Sequence, residues 1–85
     1  MEINFSPKAL EHLNFWKKSG NKSVQKKIYD LIESLQITPF EGIGQPEALK
    51  HNLSGYWSRR INKEHRLIYR VNNNEIEITS LKDHY

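Results

Sequence analysis

Apolar residues recur along this chain with two different periods, and the change between them divides it into two parts. Residues 2–5 alternate, with Ile3 and Phe5 on one side, which predicts a short strand. Ser6-Pro7 follows, a side-chain cap and then a proline at the first helical position, where its missing N–H costs nothing. Leu10, Leu13 and Trp16 recur at three-residue spacing, so a first helix is expected over about residues 7–18, ended by Ser19-Gly20-Asn21. Val24, Ile28, Leu31, Ile32 and Leu35 fall at i, i+4, i+7, i+8 and i+11, one apolar stripe of a second helix. Lys26, Lys27, Asp30 and Glu33 lie mostly off that stripe. A helix-turn-helix for DNA shares this pattern, but the second helix carries both signs of charge, and the pair reads as a hairpin packed on a sheet.

Two prolines and two glycines make residues 38–46 a loop, and beyond it the period drops to two. Strands are expected at about 56–61, 65–71 and 75–81, separated by Asn62-Lys63-Glu64 and Asn72-Asn73-Asn74, with a further strand near 49–53. One early strand, two helices and a meander predict an α+β fold. In it two N-terminal helices pack on one face of a twisted, mainly antiparallel sheet, in a single domain over 1–85. His65, Leu67, Tyr69 and Val71 then face the helices, while Arg66, Ile68 and Arg70 face the open side. A three-residue loop at 62–64 pairs Ile61 with His65 and sets Arg60 opposite Arg66, a repulsion that a bound phosphate relieves. A two-residue loop sets Arg60 opposite His65 instead.

Composition narrows the classes. The 85 residues include no cysteine, which fits a reducing cytoplasm and excludes disulfides and thiolate metal sites. No export signal and no apolar run of membrane-spanning length is visible, so a soluble protein with no membrane partner is expected. The net charge of +3 is unevenly spread. Residues 1–49 balance six lysines against six acidic residues, whereas 50–70 set Lys50, Arg59, Arg60, Lys63, Arg66 and Arg70 against Glu64 alone. Tyr56, Trp57 and Tyr69 lie among them, and basic residues interleaved with aromatics suit phosphate contacts plus base stacking. Charge alone favours an ordinary strand with a solvated charged face. His51, His65 and His84 match no zinc spacing, so no metal or other cofactor is expected. Ser54 sits in Leu53-Ser54-Gly55, which lacks the G-x-S-x-G spacing of a hydrolase elbow. His65 reads as a structural residue packed under the sheet.

Four segments carry a resemblance: TPFEG at 38–42, PEALKHNLSGYWSRRI at 46–61, EHRLIYRV at 64–71, and the final His84-Tyr85. Together they resemble the Txe/YoeB toxins of the RelE superfamily, over nearly the whole chain. The resemblance implies an endoribonuclease that cleaves mRNA in the A site of the 30S ribosome. It also implies a cognate antitoxin, operator DNA reached only through that antitoxin, and a homodimer. Carried over by position, Glu47 is the general base, His84 the general acid, Arg66 the phosphate-stabilising cation and Tyr85 the residue that helps hold the substrate. Lys50 and Arg60 fall on RNA-contacting positions. Departures are Ile43 and Gln45 where lysines are common, Ala48 where proline is usual, and Asp83 where an aromatic often precedes His-Tyr. They weaken the positive field around the base and remove one stacking ring.

These residue types suit RNA cleavage without a metal. The substrate's own 2′-hydroxyl attacks the adjacent phosphorus, which needs a base, an acid for the leaving 5′-oxygen, and a cation for the charge gathering on phosphate. Glu47, His84 and Arg66 supply one of each. A non-cleaving inhibitor bound to ribosome or RNA, and a DNA-binding co-repressor acting with an antitoxin, are the alternative classes. Neither requires an acid-base pair.

Overall fold

The computed structural model describes residues 1–83; His84 and Tyr85 lie outside the described residues. Its elements are β1 (Glu2–Phe5), α1 (Pro7–Ser19), α2 (Lys22–Ile37), β2 (Glu47–Ala48), a 3₁₀ turn (His51–Leu53), β3 (Trp57–Arg60), β4 (Arg66–Asn72) and β5 (Glu75–Ser80). Local chemistry explains the helix ends. The Ser6 hydroxyl accepts the Ala9 N–H at 3.0 Å, and Asn21 Oδ1 accepts that of Val24 at 3.1 Å, so each helix starts on a side-chain cap. Gly20 closes α1 at φ 74°, in the left-handed region that glycine enters without strain.

The sheet runs β1-β5-β4-β3-β2. The β2–β3, β3–β4 and β4–β5 pairs are antiparallel and β1–β5 is parallel, a pairing of the first strand with the fifth across all the elements between them. Val24, Ile28, Leu31 and Leu35 of α2 and Trp16 of α1 bury against Leu67, Tyr69, Ile76 and Ile78. Each such side chain contributes about 1.5–3 kcal/mol on leaving water. The expected layer arrangement, two helices on one sheet face, is the observed one.

Two expectations are corrected. Leu10 is exposed, and α1 buries Ala9 together with the expected Trp16, while Leu13 is partly buried against the core. Steps of three fall short of the 3.6-residue turn, so a 10-13-16 row drifts around the helix, whereas residues seven apart return to one face. The strand expected near 49–53 is the 3₁₀ turn: His51 takes φ 60°, which no strand accommodates, and the added strand lies at Glu47–Ala48. Among the described residues no helix is long and apolar enough to cross a membrane.

One irregularity steers the end of the chain. Ile68 pairs with Ser80 and Tyr69 with Ile78, so Thr79 is an extra residue on β5. Such a bulge bends and twists its strand. Beyond it the Trp16 indole N–H donates to the Leu81 carbonyl at 2.8 Å, which ties the exit of β5 to α1.

Candidate active site

Alternation along β3 separates two neighbouring arginines. Arg59 points into the helix layer and Arg60 to the open side, sharing that side with Ser58. The register sets Arg60 opposite Arg66, as the three-residue loop requires, and the Ile61 N–H donates to the His65 carbonyl at 3.0 Å. On the other flank Glu47 pairs with Ser58. Glu47, Arg60 and Arg66 therefore line one cavity of about 100 Å³, together with Gln45, Leu49, Ser58 and Ile68. That is well under the ~300 Å³ at which ordinary small-molecule pockets begin, and suits one small anionic group. Two guanidinium groups against one carboxylate leave the cavity cationic.

Arg66 is half-buried and fixed. Its Nη1 donates to the carbonyls of Asn62 at 2.8 Å, Lys63 at 3.3 Å and His65 at 3.2 Å, which folds the guanidinium over the β3–β4 turn. Arg60 is exposed, while its backbone N–H donates to the Gly44 carbonyl at 2.7 Å. That contact needs glycine: at φ 83°, a Cβ on Gly44 would stand 2.6 Å from Leu31 Cδ2. Lys50 is exposed and does not line the cavity. His84 and Tyr85, the other expected site residues, lie outside the described residues.

Arg59 lies behind the cavity, fully buried. Its Nε donates to the Tyr69 hydroxyl at 3.2 Å, and Nη1 to Ser34 Oγ at 2.8 Å and the Ile43 carbonyl at 3.2 Å. Its Nη2 donates to the carbonyls of Thr38 at 2.7 Å and Glu41 at 2.9 Å. One guanidinium thus holds the loop that leads to Glu47. Burial keeps the Tyr69 phenol above its ordinary 10.0, against the opposing pull of Arg59.

The basic and aromatic stretch is accordingly less open than its composition implies. Arg59 is consumed internally, and Arg70 pairs with Glu77 at 3.0 Å over the Tyr56 ring. Trp57 packs on Phe40 and Tyr69 is buried. Ile68 does face the open side but is 2% exposed, lining the cavity instead of meeting solvent. Sequence reasoning missed Gln45, Leu49 and Ser58 as lining residues. Ser58 was within reach, since it lies two residues before Arg60 on the same strand face.

Comparison with known proteins gives one answer. Residues 5–85 match the family described as YoeB-like toxin of bacterial type II toxin-antitoxin system. The Escherichia coli K12 protein named Toxin YoeB is 45% identical over 85 residues, covering 100% of both chains. The solved YoeB dimer from Staphylococcus aureus is 49% identical with a TM-score of 0.90, covering 100% of this chain and 98% of its own. The YoeB-YefM complex from the same species gives 50% identity and a TM-score of 0.89, with the same coverage.

Proposed function

From the premise that this chain belongs to the YoeB-like toxins of bacterial type II toxin-antitoxin systems, we propose that it is a metal-independent endoribonuclease that cuts mRNA in the ribosomal A site. The observation that carries the reading is the meeting of Glu47, Arg60 and Arg66 in one phosphate-sized cavity. Two arginines opposed across strands repel each other, and an anion between them removes that cost. A carboxylate on the rim has no such electrostatic use in a pure phosphate-binding site. It is useful where a proton must be removed.

The Glu47 carboxylate takes the proton of a 2′-hydroxyl, whose oxygen attacks the adjacent phosphorus. Arg66, fixed by its three carbonyls, and Arg60 opposite it stabilise the negative charge that accumulates on the phosphate oxygens. His84 gives a proton to the departing 5′-oxygen, and Tyr85 helps hold the substrate. Lys50, exposed outside the cavity, contacts RNA on its approach. The products are a 2′,3′-cyclic phosphate, or its opened form, and a 5′-hydroxyl. In the cytoplasm the toxin is neutralised by a cognate antitoxin, through which alone it reaches operator DNA, and it forms homodimers. The solved YoeB-YefM complex and YoeB dimer of relatives support both partnerships.

The test is the chemistry of the RNA ends after incubation with programmed ribosomes, with single-stranded oligonucleotides in excess chelator as the second arm. Cyclic-phosphate and 5′-hydroxyl ends are expected in both. Ends bearing 3′-hydroxyl and 5′-phosphate would mark metal-assisted hydrolysis and overturn the mechanism.

A further inference from the structure

We propose that His65 is a positioning residue whose neutral imidazole clamps the peptide that leads into His84. The inference rests on the ribonuclease reading for its consequence and on separate contacts for its geometry. The Asp83 N–H donates to His65 Nδ1 at 2.8 Å, while the Asp83 carbonyl accepts the Arg66 N–H at 2.8 Å. Asp83 has φ 64°, a left-handed conformation costing a side-chain-bearing residue on the order of 1 kcal/mol, so it persists only where its surroundings hold it. Here both of its backbone polar groups are held. The His65 ring is itself set edge-on against Trp16, centroids 4.9 Å apart, and Trp16 grips the Leu81 carbonyl.

The partner of Nδ1 is an N–H, which fixes the tautomer. Nδ1 must offer its lone pair and the ring proton must reside on Nε2. His12 repeats the device two residues earlier, its Nδ1 accepting the Leu81 N–H at 3.1 Å. Arg66 is common to the clamp and the cavity, since its backbone holds Asp83 and its side chain lines the site. Releasing Asp83 therefore frees the chain to choose other directions immediately before the proposed general acid. A misplacement of about 1 Å in a catalytic group costs roughly 10²-fold in rate.

Two variants of the full chain separate positioning from support. His65→Phe keeps a ring against Trp16 but has no acceptor, whereas His65→Asn offers Oδ1 near the place of Nδ1 and gives up the ring. The Asp83 amide is expected to be protected from hydrogen exchange in wild type and His65→Asn and to exchange freely in His65→Phe. Cleavage of ribosome-bound message should follow the acceptor: kcat falls about 10²-fold in His65→Phe with KM nearly unchanged, and recovers in His65→Asn. Thermal stability should rank the two the other way. Unchanged exchange at Asp83 in His65→Phe, or wild-type kcat in that variant, overturns the inference. If wild type cuts no message, the ribonuclease reading falls, and exchange at Asp83 alone decides the clamp.

Discussion

Replacing Arg59 with methionine should cost this domain a large share of its stability without touching the cavity lining. Methionine nearly matches the aliphatic stem, so the change is chiefly the loss of a guanidinium whose donors serve Tyr69, Ser34, Ile43, Thr38 and Glu41. Among the described residues no carboxylate pairs with Arg59. Removing it therefore relieves one buried charge and strands no opposite one. Against that relief stand the acceptors left behind. The Ser34 hydroxyl can rotate, and the carbonyls of Glu41 and Ile43 belong to exposed residues that can turn to water. The Thr38 carbonyl and the Tyr69 hydroxyl have less freedom; each keeps one partner, the Glu41 N–H at 3.4 Å and the Pro39 carbonyl at 2.6 Å, and loses a bond to a charged donor, at about 1.5–3 kcal/mol each. A net loss of about 3 kcal/mol follows, from a total of ~4–13 kcal/mol expected for 85 residues. Tm should drop by roughly 12–24 °C. Arg59→Lys keeps the charge but cannot span from Tyr69 to Thr38, and should lose about half as much. Urea denaturation followed by tryptophan fluorescence measures both. The Tyr69 phenol, freed of the opposing cation, should titrate at still higher pH. A loss under about 1 kcal/mol in Arg59→Met would refute the role assigned to this residue.

Glu47→Gln should leave stability within about 0.5 kcal/mol, since Glu47 is exposed, yet slow cleavage by ~10²–10⁴-fold as a lost base would. Arg66→Ala should slow it by ~10²–10³-fold and also lose about 1–2 kcal/mol with its ties to the β3–β4 turn. Growth arrest at matched expression with either variant removes that residue from the mechanism. His12 supplies a pH test, because burial first, and Lys8 and Lys82 after it, push its imidazole below the usual 6.5. Above pH 6.5 the ring is neutral whether the chain is folded or not, and its full contribution is present. As pH falls below 6.5 the unfolded chain takes up the proton first, so stability declines until the pH has passed the folded-state value. Tm measured against pH should show this decline in wild type and a shallower one in His12→Asn; identical profiles would contradict it.

The sheet face was legible because strand alternation and a three-residue turn are local rules. Once Asn62-Lys63-Glu64 is a loop, Arg60 must oppose Arg66. Helix α2 was legible for the same reason, through one unbroken stripe. What local rules do not reach is the fate of a charge. Arg59 and Arg60 are adjacent and chemically identical, and one is fully buried while the other lines the site. Their difference depends on carbonyls at 38, 41 and 43, in a loop whose path no periodicity encodes. Glu47 could be assigned to the site by resemblance but not by pattern, since β2 is two residues long. The roles of His12 and His65 depend on backbone N–H groups at Leu81 and Asp83, some 69 and 18 residues away in sequence. His65 was expected to be structural, and the missing part was what it holds.

The pair Arg60–Arg66 does more than gather positive charge. Arg60 accepts the attachment of the loop that carries Glu47, through its N–H to the Gly44 carbonyl at 2.7 Å. Arg66 holds the segment that leads to His84, through its N–H to the Asp83 carbonyl at 2.8 Å. The Glu47 segment is also laddered on β3, through Glu47–Ser58 and Ala48–Trp57, with Arg59 behind its loop, while the tail rests on the Arg66 bond with His65 and Trp16 behind it. On the ribonuclease reading, base and acid must flank one phosphate at a fixed separation. The β3–β4 ladder then bears on that separation from both sides, through the pairing of β2 on β3 for the base and through the Arg66 N–H for the segment before the acid. This arrangement suits a domain with a small core, since the rigid β3–β4 ladder is shared by all the reacting groups and none needs a scaffold of its own.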